Sequence, residues 1–337
     1  MPDTRKALVI YNPAARSAAD PDAWLGTVIH RLCDQSDFVV TVRATRPGMT
    51  SEELISPTTY DLILAAGGDG TVRSVVQAEL DCKVDIPIGI IPAGTGNQLA
   101  RNLGIYEENL LGEPLEDALK TILHGRPRRI DVGQMNGHAF VVAAGAGPMS
   151  DAVIMPGRDE KTQWKMLAYA TSMVQTIALA PVMFKITTDG DSFTVTASGL
   201  FVTNVAYLGI GTLSESAELD DGLLDLCVLN PQSFTDYVGL GFRFAGGLYG
   251  GEAPYYIRKV KQVDIDVVPS RTESALHRVG RQIWSFLKQR PRRPRRTDRE
   301  VIAMIDGDAF GTTPMHIDVI PHALSVFAPA SERLDSW

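Results

Sequence analysis

Two glycine-rich loops, each set between an apolar run and a helical pattern, constrain the fold of this chain more than any other feature. The first unit occupies residues 61–80 with its loop at 67–71, and the second occupies 86–103 with its loop at 92–96. Glycine allows the backbone to turn tightly and to approach a ligand closely. A helix that begins directly after such a loop points unpaired N–H groups and its positive dipole end at that ligand. Each unit therefore predicts a strand, a loop and a helix suited to phosphate.

The residues before these units continue the alternation of strand and helix. Apolar runs at 7–11 and 38–42 predict strands, and the apolar spacing between them predicts a helix. Such alternation indicates a parallel sheet with helices on both faces, and the ligands of these sheets bind at the carboxyl ends of the strands. Asn12, Thr45 and both glycine loops follow predicted strands. We therefore expect an α/β nucleotide domain over residues 1–129, with these residues close together.

After residue 130 the pattern changes to short β-branched or aromatic runs separated by turns, which is typical of a sandwich or barrel. A helix is predicted over 161–179, and residues 125–129 are interpreted as a linker. The predicted strands lie at 130–135, 138–144, 184–188, 193–197, 199–204, 223–229, 260–268, 302–305 and 315–320. These runs predict a C-terminal β-sandwich domain over residues 130–323.

The composition is that of an ordinary globular protein, with 45% hydrophobic and 21% charged residues. No apolar signal segment is expected at the start, and three scattered cysteines indicate a reducing compartment. The uncharged run 166–184 contains several polar residues and Pro181, so a buried helix is favoured over a membrane span. These features predict a cytoplasmic protein.

The two loops do not match the better-known phosphate motifs. No G-x-x-x-x-G-K-[ST] sequence occurs, and Leu99 stands where a dinucleotide fingerprint has its third glycine. The sequences Gly-Gly-Asp-Gly-Thr at 67–71 and Pro-Ala-Gly-Thr-Gly-Asn at 92–97 instead resemble the catalytic domain of diacylglycerol and sphingosine kinases. NAD kinases share the first motif but not the second. The resemblance implies an ATP-dependent lipid kinase that phosphorylates a hydroxyl of a diacylglycerol-like or sphingoid lipid, with residues 324–337 returning to the first domain.

This resemblance assigns a nucleotide site to the first domain. Backbone N–H groups of the first loop would cradle the ATP phosphates, with help from hydroxyl groups, and the Asp69 carboxylate would hold Mg²⁺. Asp69 can instead serve as a helix cap, which suits this residue type. The expected ATP-binding residues are Asn12, Thr45, Gly67, Gly68, Asp69, Gly70, Thr71, Gly94, Thr95 and Asn97.

The second domain carries the other expected site residues. Asp306 resembles the essential aspartate of the family's Asp-Gly-Glu motif, which implies a general base, although an Asp-Gly pair alone usually forms a hairpin turn. The family also holds a structural Mg²⁺ in a loop that matches 218–225, which implies Asp221 and backbone carbonyls near Glu218 and Leu223 as ligands. The alternative is that these acidic residues are ordinary surface turn residues.

Two other functions remain open at this point. One is an NAD kinase-like enzyme, against which the second motif and Asp306 argue. The other is a non-catalytic lipid-binding or regulatory member of the same fold. This alternative depends on departures from the family pattern at Asn12-Pro13, at Gly147-Pro148 and at Asp308, where the family has glutamate.

Residues 270–299 form a basic amphipathic insertion in an otherwise acidic chain. The segment from Arg271 to Arg299 contains ten basic and two acidic residues, which gives it a net charge of +8, whereas the whole chain has a net charge of −8. Apolar residues recur there at helical spacing before a polybasic tail, the pattern of a helix at a membrane interface. We expect peripheral binding to an anionic membrane and no nucleic-acid binding. The alternatives are packing on the second domain or contact with a second copy in a homodimer.

Overall fold

The structure is a computed structural model. It describes residues 5–13, 21–36, 38–56, 60–106, 114–150, 181–208, 212–214, 216–231, 236, 255–268 and 300–329. The chain divides into two compact units: unit 1 comprises residues 1–142, 204–223 and 319–337, and unit 2 comprises residues 143–203 and 224–318. The helix predicted over 161–179 and the basic insertion at 270–299 lie outside the described residues.

Unit 1 is an α/β unit in which helices alternate with parallel strands. Its elements are β1 (Arg5–Tyr11), α1 (Pro21–Ser36), β2 (Phe38–Ala44), α2 (Ser51–Ile55), β3 (Leu62–Gly67), α3 (Asp69–Cys82), β4 (Ile88–Pro92), α4 (Gln98–Asn102), α5 (Pro114–His124), β5 (Arg126–Met135), β6 (His138–Phe140) and the C-terminal part of β16 (Met315–Ala328). The parallel strands lie in the order β2-β1-β3-β4-β16. Strand β5 pairs with β16 and, in antiparallel fashion, with β6.

The centre of this sheet is buried on both faces, as expected for parallel strands covered by helices. Every residue of β3 and β4 is buried. Val28 and Leu32 of α1 and Leu119 and Ile122 of α5 pack with the inner strands in one hydrophobic cluster. This packed centre positions the carboxyl ends of the strands, where the two glycine loops begin.

Unit 2 is built from antiparallel strands. One group is formed by β8 (Val182–Thr188), β9 (Ser192–Ala197), β13 (Gln262–Val267) and the N-terminal part of β16, in the order β16-β13-β8-β9. The second has the order β12-β11-β10-β7-β14-β15. Its strands are β7 (Ala143–Ala146), β10 (Gly199–Thr203), β11 (Leu224–Leu229), β12 (Tyr255–Val260), β14 (Ile302–Ile305) and β15 (Asp308–Thr312). The predicted fold class, α/β followed by all-β, is confirmed.

Two segments differ from the sequence prediction. Residues 126–129, interpreted as a linker, begin β5; their arginines remain exposed and form ion pairs, Arg128 with Asp220 and Arg129 with Asp85. Strand β16 does not end at Pro321 but continues to residue 328. The domain limits of 1–129 with 324–337 and of 130–323 stay a prediction; the compact units have other limits, because β5, β6 and residues 204–223 belong to unit 1.

Within the residues described, no helix combines the length and the apolar character that a membrane crossing needs.

Candidate functional site

The two glycine loops of unit 1 touch each other through their backbones. A Cβ atom on Gly94 would lie 2.3 Å from the Cα of Gly68, a separation that no side chain tolerates. The N–H of Ala93 donates to the carbonyl of Gly67 at 3.0 Å. Glycine at 94 is therefore required by this approach, while a Cβ on Gly68 would make a tight contact of 3.2 Å with the Cα of Gly94. The two loops are in direct backbone contact.

The first loop leads into α3, whose N-cap residue has no side chain with which to cap the early N–H groups. Gly68 is the N-cap residue, and no side-chain hydrogen bond caps the helix. The Thr71 side chain packs directly over Gly67, where a Cβ would lie 2.2 Å from the Thr71 hydroxyl oxygen. A 14-residue helix with an uncapped start offers N–H donors and a positive dipole end to an anion.

The second loop leads into α4, whose start is capped by a residue from the first motif. Asn97 adopts the left-handed conformation with φ of 51° and does not cap the helix with its side chain. The Asp69 carboxylate instead accepts a hydrogen bond from the N–H of Leu99 at 3.1 Å. Burial raises the pKa of the Asp69 carboxyl, and backbone N–H groups at 97–99 offset this rise only in part. Asp69 thus ties the two motifs together.

Asn97 closes the second loop instead of reaching outward. Its amide accepts from the N–H of Gly94 at 2.9 Å and donates to the carbonyl of the same residue at 2.9 Å. Thr95, between them, is exposed. Because Asp69 takes up the N–H of Leu99 at the start of α4, the start of α3 is the better candidate for phosphate.

Asn12 and Thr45 lie at the same edge of the sheet as the first loop. The N–H of Asn12 donates to the carbonyl of Ala66 at 3.2 Å, and the N–H of Thr45 donates to the carbonyl of Tyr11 at 2.8 Å. Both residues are half-buried. The structure therefore brings together all the predicted nucleotide-binding residues that follow β1 to β4.

Asp306 occupies the turn between β14 and β15 in unit 2. Ile305 pairs with Asp308, which leaves Asp306 and Gly307 as a two-residue loop. Their φ angles of 48° and 85° match the turn that favours Asp-Gly in hairpins. The Asp306 N–H donates to the carbonyl of Ala143 at 2.8 Å, and its carboxylate accepts the Ala143 N–H at 3.1 Å. Asp306 and Gly307 thus form the hairpin turn that is usual for an Asp-Gly pair, and the hydrogen bond from Ala143 holds the Asp306 carboxylate in this turn.

The loop that contains the predicted metal ligands lies in unit 1. Glu218 is exposed and Asp221 is half-buried. The Asp221 carboxylate accepts the N–H of Leu223 at 3.0 Å. No group of three or more His, Cys, Asp or Glu side chains suited to a metal occurs among the described residues, so an ion here would depend on backbone carbonyls and water.

Sequence reasoning missed the residue that organises this loop, Asp131 on β5. Its carboxylate is fully buried and accepts the N–H of Gly222 at 2.6 Å and the N–H of His322 at 2.7 Å. Its own N–H donates to the carbonyl of Leu219 at 2.6 Å. The one sequence signal was an aspartate inside an apolar strand, because such a residue must find hydrogen-bond partners.

Comparison with known proteins identifies both halves of the chain. Residues 6–135 match the family described as diacylglycerol kinase catalytic domain, and residues 141–270 match the YegS C-terminal NAD kinase beta sandwich-like domain. The diacylglycerol kinase of Bacillus subtilis is 28% identical over 268 residues, which cover 78% of this chain and 86% of that protein. The diacylglycerol kinase of Staphylococcus aureus is 26% identical over 239 residues, covering 69% and 73%.

A solved structure shares the fold. The crystal structure of a diacylglycerol kinase from Bacillus anthracis aligns with a TM-score of 0.68 at 20% identity, covering 97% of this chain and 98% of that one. The two family matches follow each other along the chain without overlap. Residues 6–135 therefore belong to the diacylglycerol kinase catalytic domain family, and the chain is a lipid kinase, a phosphotransferase that uses ATP.

Proposed function

We propose that the joined glycine loops of unit 1 bind Mg-ATP and that Asp306 is the general base that activates a lipid hydroxyl. The acceptor is a diacylglycerol-like or sphingoid lipid, and the transferred group is the γ-phosphate. The observation that carries this proposal is the backbone contact between the loops at Gly68 and Gly94, which lies at the start of α3, where the N-cap residue makes no side-chain cap.

Phosphoryl transfer needs the donor phosphates held, their charge compensated and the acceptor positioned. The N–H groups of the first loop and of the start of α3 supply hydrogen-bond donors. Thr45 and Thr95, which carry hydroxyl groups, follow β2 and β4 at the carboxyl edge of the sheet. Asp69 fits a magnesium ligand, because it is an oxygen donor whose buried negative charge a cation would compensate. Bound Mg²⁺ would neutralise charge on the phosphates.

Asp306 suits a base that must be held in one orientation. A non-glycine residue at positive φ is uncommon, and aspartate is among the few that tolerate it. The hydrogen bond from Ala143 N–H fixes one carboxylate oxygen. In the proposed reaction the carboxylate takes the proton of the lipid hydroxyl as that oxygen attacks the γ-phosphorus. The bond from phosphorus to the bridging oxygen of ADP breaks, and ADP leaves.

A second magnesium ion is proposed for the loop at 218–223. Its donors are the Asp221 carboxylate and backbone carbonyls near Glu218 and Leu223, all of them oxygens, which is the donor type that Mg²⁺ prefers. Buried Asp131 already orders the loop. We expect Mg²⁺ without nucleotide to raise the melting temperature of the wild type but not of Asp221→Ala. Equal shifts in both proteins would contradict this assignment.

The acceptor is tested by incubating the purified protein with radiolabelled ATP and single lipids in detergent micelles. The panel contains dioleoylglycerol, sphingosine, phosphatidylglycerol and undecaprenol, and NAD tests the NAD kinase-like alternative. We expect label in one of the first two lipids and none in NAD. Label in NAD alone would support that alternative. Mg-ATP binding without transfer to any acceptor would support a non-catalytic member of the fold.

We also propose that the basic insertion at 270–299 docks the enzyme on anionic membranes. This proposal rests on sequence: ten basic side chains and an apolar stripe at helical spacing. Sedimentation with vesicles that contain anionic lipid, and with vesicles that do not, compares wild type with a variant lacking residues 272–298. We expect only the wild type to sediment. Equal sedimentation of the two proteins would favour packing of the insertion on the second domain. A wild type that forms a homodimer which the deletion abolishes would favour contact with a second copy.

A further inference from the structure

Arg101 is the one basic side chain in the two glycine motifs, residues 67–71 and 92–101. Phosphoryl transfer spreads negative charge over the oxygens of the moving group, and a positioned guanidinium stabilises that charge. Arg101 is half-buried in the last turn of α4, and α4 is tied to the first motif by Asp69. A cation in this place is therefore connected to the proposed nucleotide site.

The guanidinium of Arg101 is held by an aromatic ring from another part of the chain. Its central carbon lies 4.5 Å from the ring centroid of Tyr207, within the range of a cation–π contact. A free arginine side chain samples many rotamers, and ordering it costs conformational entropy. Tyr207 removes that freedom before a ligand binds, which is the condition for efficient electrostatic stabilisation.

The backbone around Tyr207 is anchored independently of the ring. The Asn102 amide donates to the carbonyl of Tyr207 at 2.9 Å, and the Tyr207 N–H donates to the Asn102 side-chain oxygen at 3.0 Å. Tyr207 also forms a β-bridge with Thr212, and the N–H of Leu213 donates to the carbonyl of Ala206 at 2.9 Å. These bonds hold the backbone of residue 207 in place, and the ring of the same residue contacts Arg101.

We propose that Tyr207 is a positioning residue, whose ring holds the Arg101 guanidinium in place for the phosphates of the bound nucleotide. The inference rests on the proposed function, because it assumes a phosphate ligand at the glycine loops. It adds a side chain from residues 204–223, a segment that returns to unit 1, to the machinery of that site. Neither glycine motif contains this residue.

The test is a double-mutant cycle of Tyr207→Leu and Arg101→Ala, measured on Mg-ATP affinity and on kcat and KM for ATP with a lipid acceptor. Tyr207→Phe keeps the aromatic face, and Tyr256→Leu removes an exposed tyrosine of unit 2 as a matched control. If Tyr207→Leu does not fold, Tyr207→Met, which also lacks an aromatic face, replaces it. Thermal melting verifies the fold of every variant.

We expect Tyr207→Leu to lower kcat/KM for ATP about 3- to 30-fold, the range of a cation–π contact. Tyr207→Phe and Tyr256→Leu should stay within about twofold of wild type, and Tyr207→Leu should cause no further loss when Arg101 is already alanine. A loss of the same size in both backgrounds, or none in either, overturns the inference. If the wild type phosphorylates no lipid, the proposed function is contradicted. The coupling between Tyr207 and Arg101 can still be measured in that case, because the cycle is also carried out on Mg-ATP affinity.

Discussion

Replacing Asp69 in two ways separates its contact with α4 from its proposed chemistry. Asp69→Ala removes the acceptor of the Leu99 N–H bond and the negative charge together. Asp69→Asn keeps a side-chain oxygen in the same place but removes the charge. The two variants therefore differ in what they do to the fold and agree in what they do to a bound cation.

The expected magnitudes follow from the environment of the carboxylate. Loss of a helix cap and of a hydrogen bond to a charged acceptor lowers the free energy of unfolding by about 1–3 kcal/mol in Asp69→Ala. Asp69→Asn should stay within about 1 kcal/mol of wild type, since burial already disfavours the ionised carboxylate, as its raised pKa shows. Both variants should lose phosphoryl transfer by about 10²-fold or more, because the charge that holds the cation is gone.

Thermal melting and lipid phosphorylation, measured on the same preparations, test this prediction. A loss of 1 kcal/mol corresponds to a melting temperature lower by about 2–4 °C for a protein unit of this size. Near-normal turnover by Asp69→Asn would show that the carboxylate serves only as a cap. Equal destabilisation by both variants would refute the reasoning about the hydrogen bond to Leu99.

Three further predictions concern the stability of unit 1. Gly94→Ala should lower the melting temperature and the Mg-ATP affinity, because the new Cβ meets the backbone of the facing loop. Gly26→Ala is the control: the new Cβ has open space around it, so neither quantity should change. Equal losses in the two variants would contradict the close approach of the loops. Burial raises the pKa of Glu79 to about 8. Between about pH 5 and 8 the carboxyl is therefore protonated in the folded protein and ionised in the unfolded chain, so unfolding releases a proton. The free energy of unfolding then falls by up to about 1.4 kcal/mol per pH unit as pH rises. Glu79→Gln should remove that slope in urea titrations, and parallel profiles of the two proteins would contradict it. Asp131→Ala should lower the free energy of unfolding by about 2–5 kcal/mol, because two backbone N–H groups lose their acceptor; a change below about 1 kcal/mol would argue against that role.

Much of the fold was predictable because local patterns and tertiary structure agree. The buried strands β3 and β4 read as uninterrupted apolar runs, and glycine marks the start of α3. Residues 126–129 were misassigned because their charges suggest a loop, whereas ion pairs with Asp85 and Asp220 allow an exposed strand. Pro321 suggested a strand end, but the strand continues past it.

The site was predictable only as far as its motifs extend. The sequence indicates Asp69 and the glycine loops, but it does not reveal that Asp69 caps a helix of the other motif, because that contact joins residues 30 positions apart. Tyr207 meets Arg101 across 106 positions of sequence, and Asp131 meets His322 across 191. No local spacing records such contacts, which arise from the return of distant segments to unit 1.

The central claim, that this chain is an ATP-dependent lipid kinase with Asp306 as base, is tested most directly by single-turnover transfer from radiolabelled ATP to dioleoylglycerol and, separately, to sphingosine. Wild type is compared with Asp306→Asn, which keeps an acceptor for the Ala143 N–H and so should melt at the wild-type temperature. The account predicts a rate about 10² to 10⁴ times lower in the variant, with unchanged Mg-ATP affinity. Equal rates in the two proteins, or no transfer by the wild type, would contradict it.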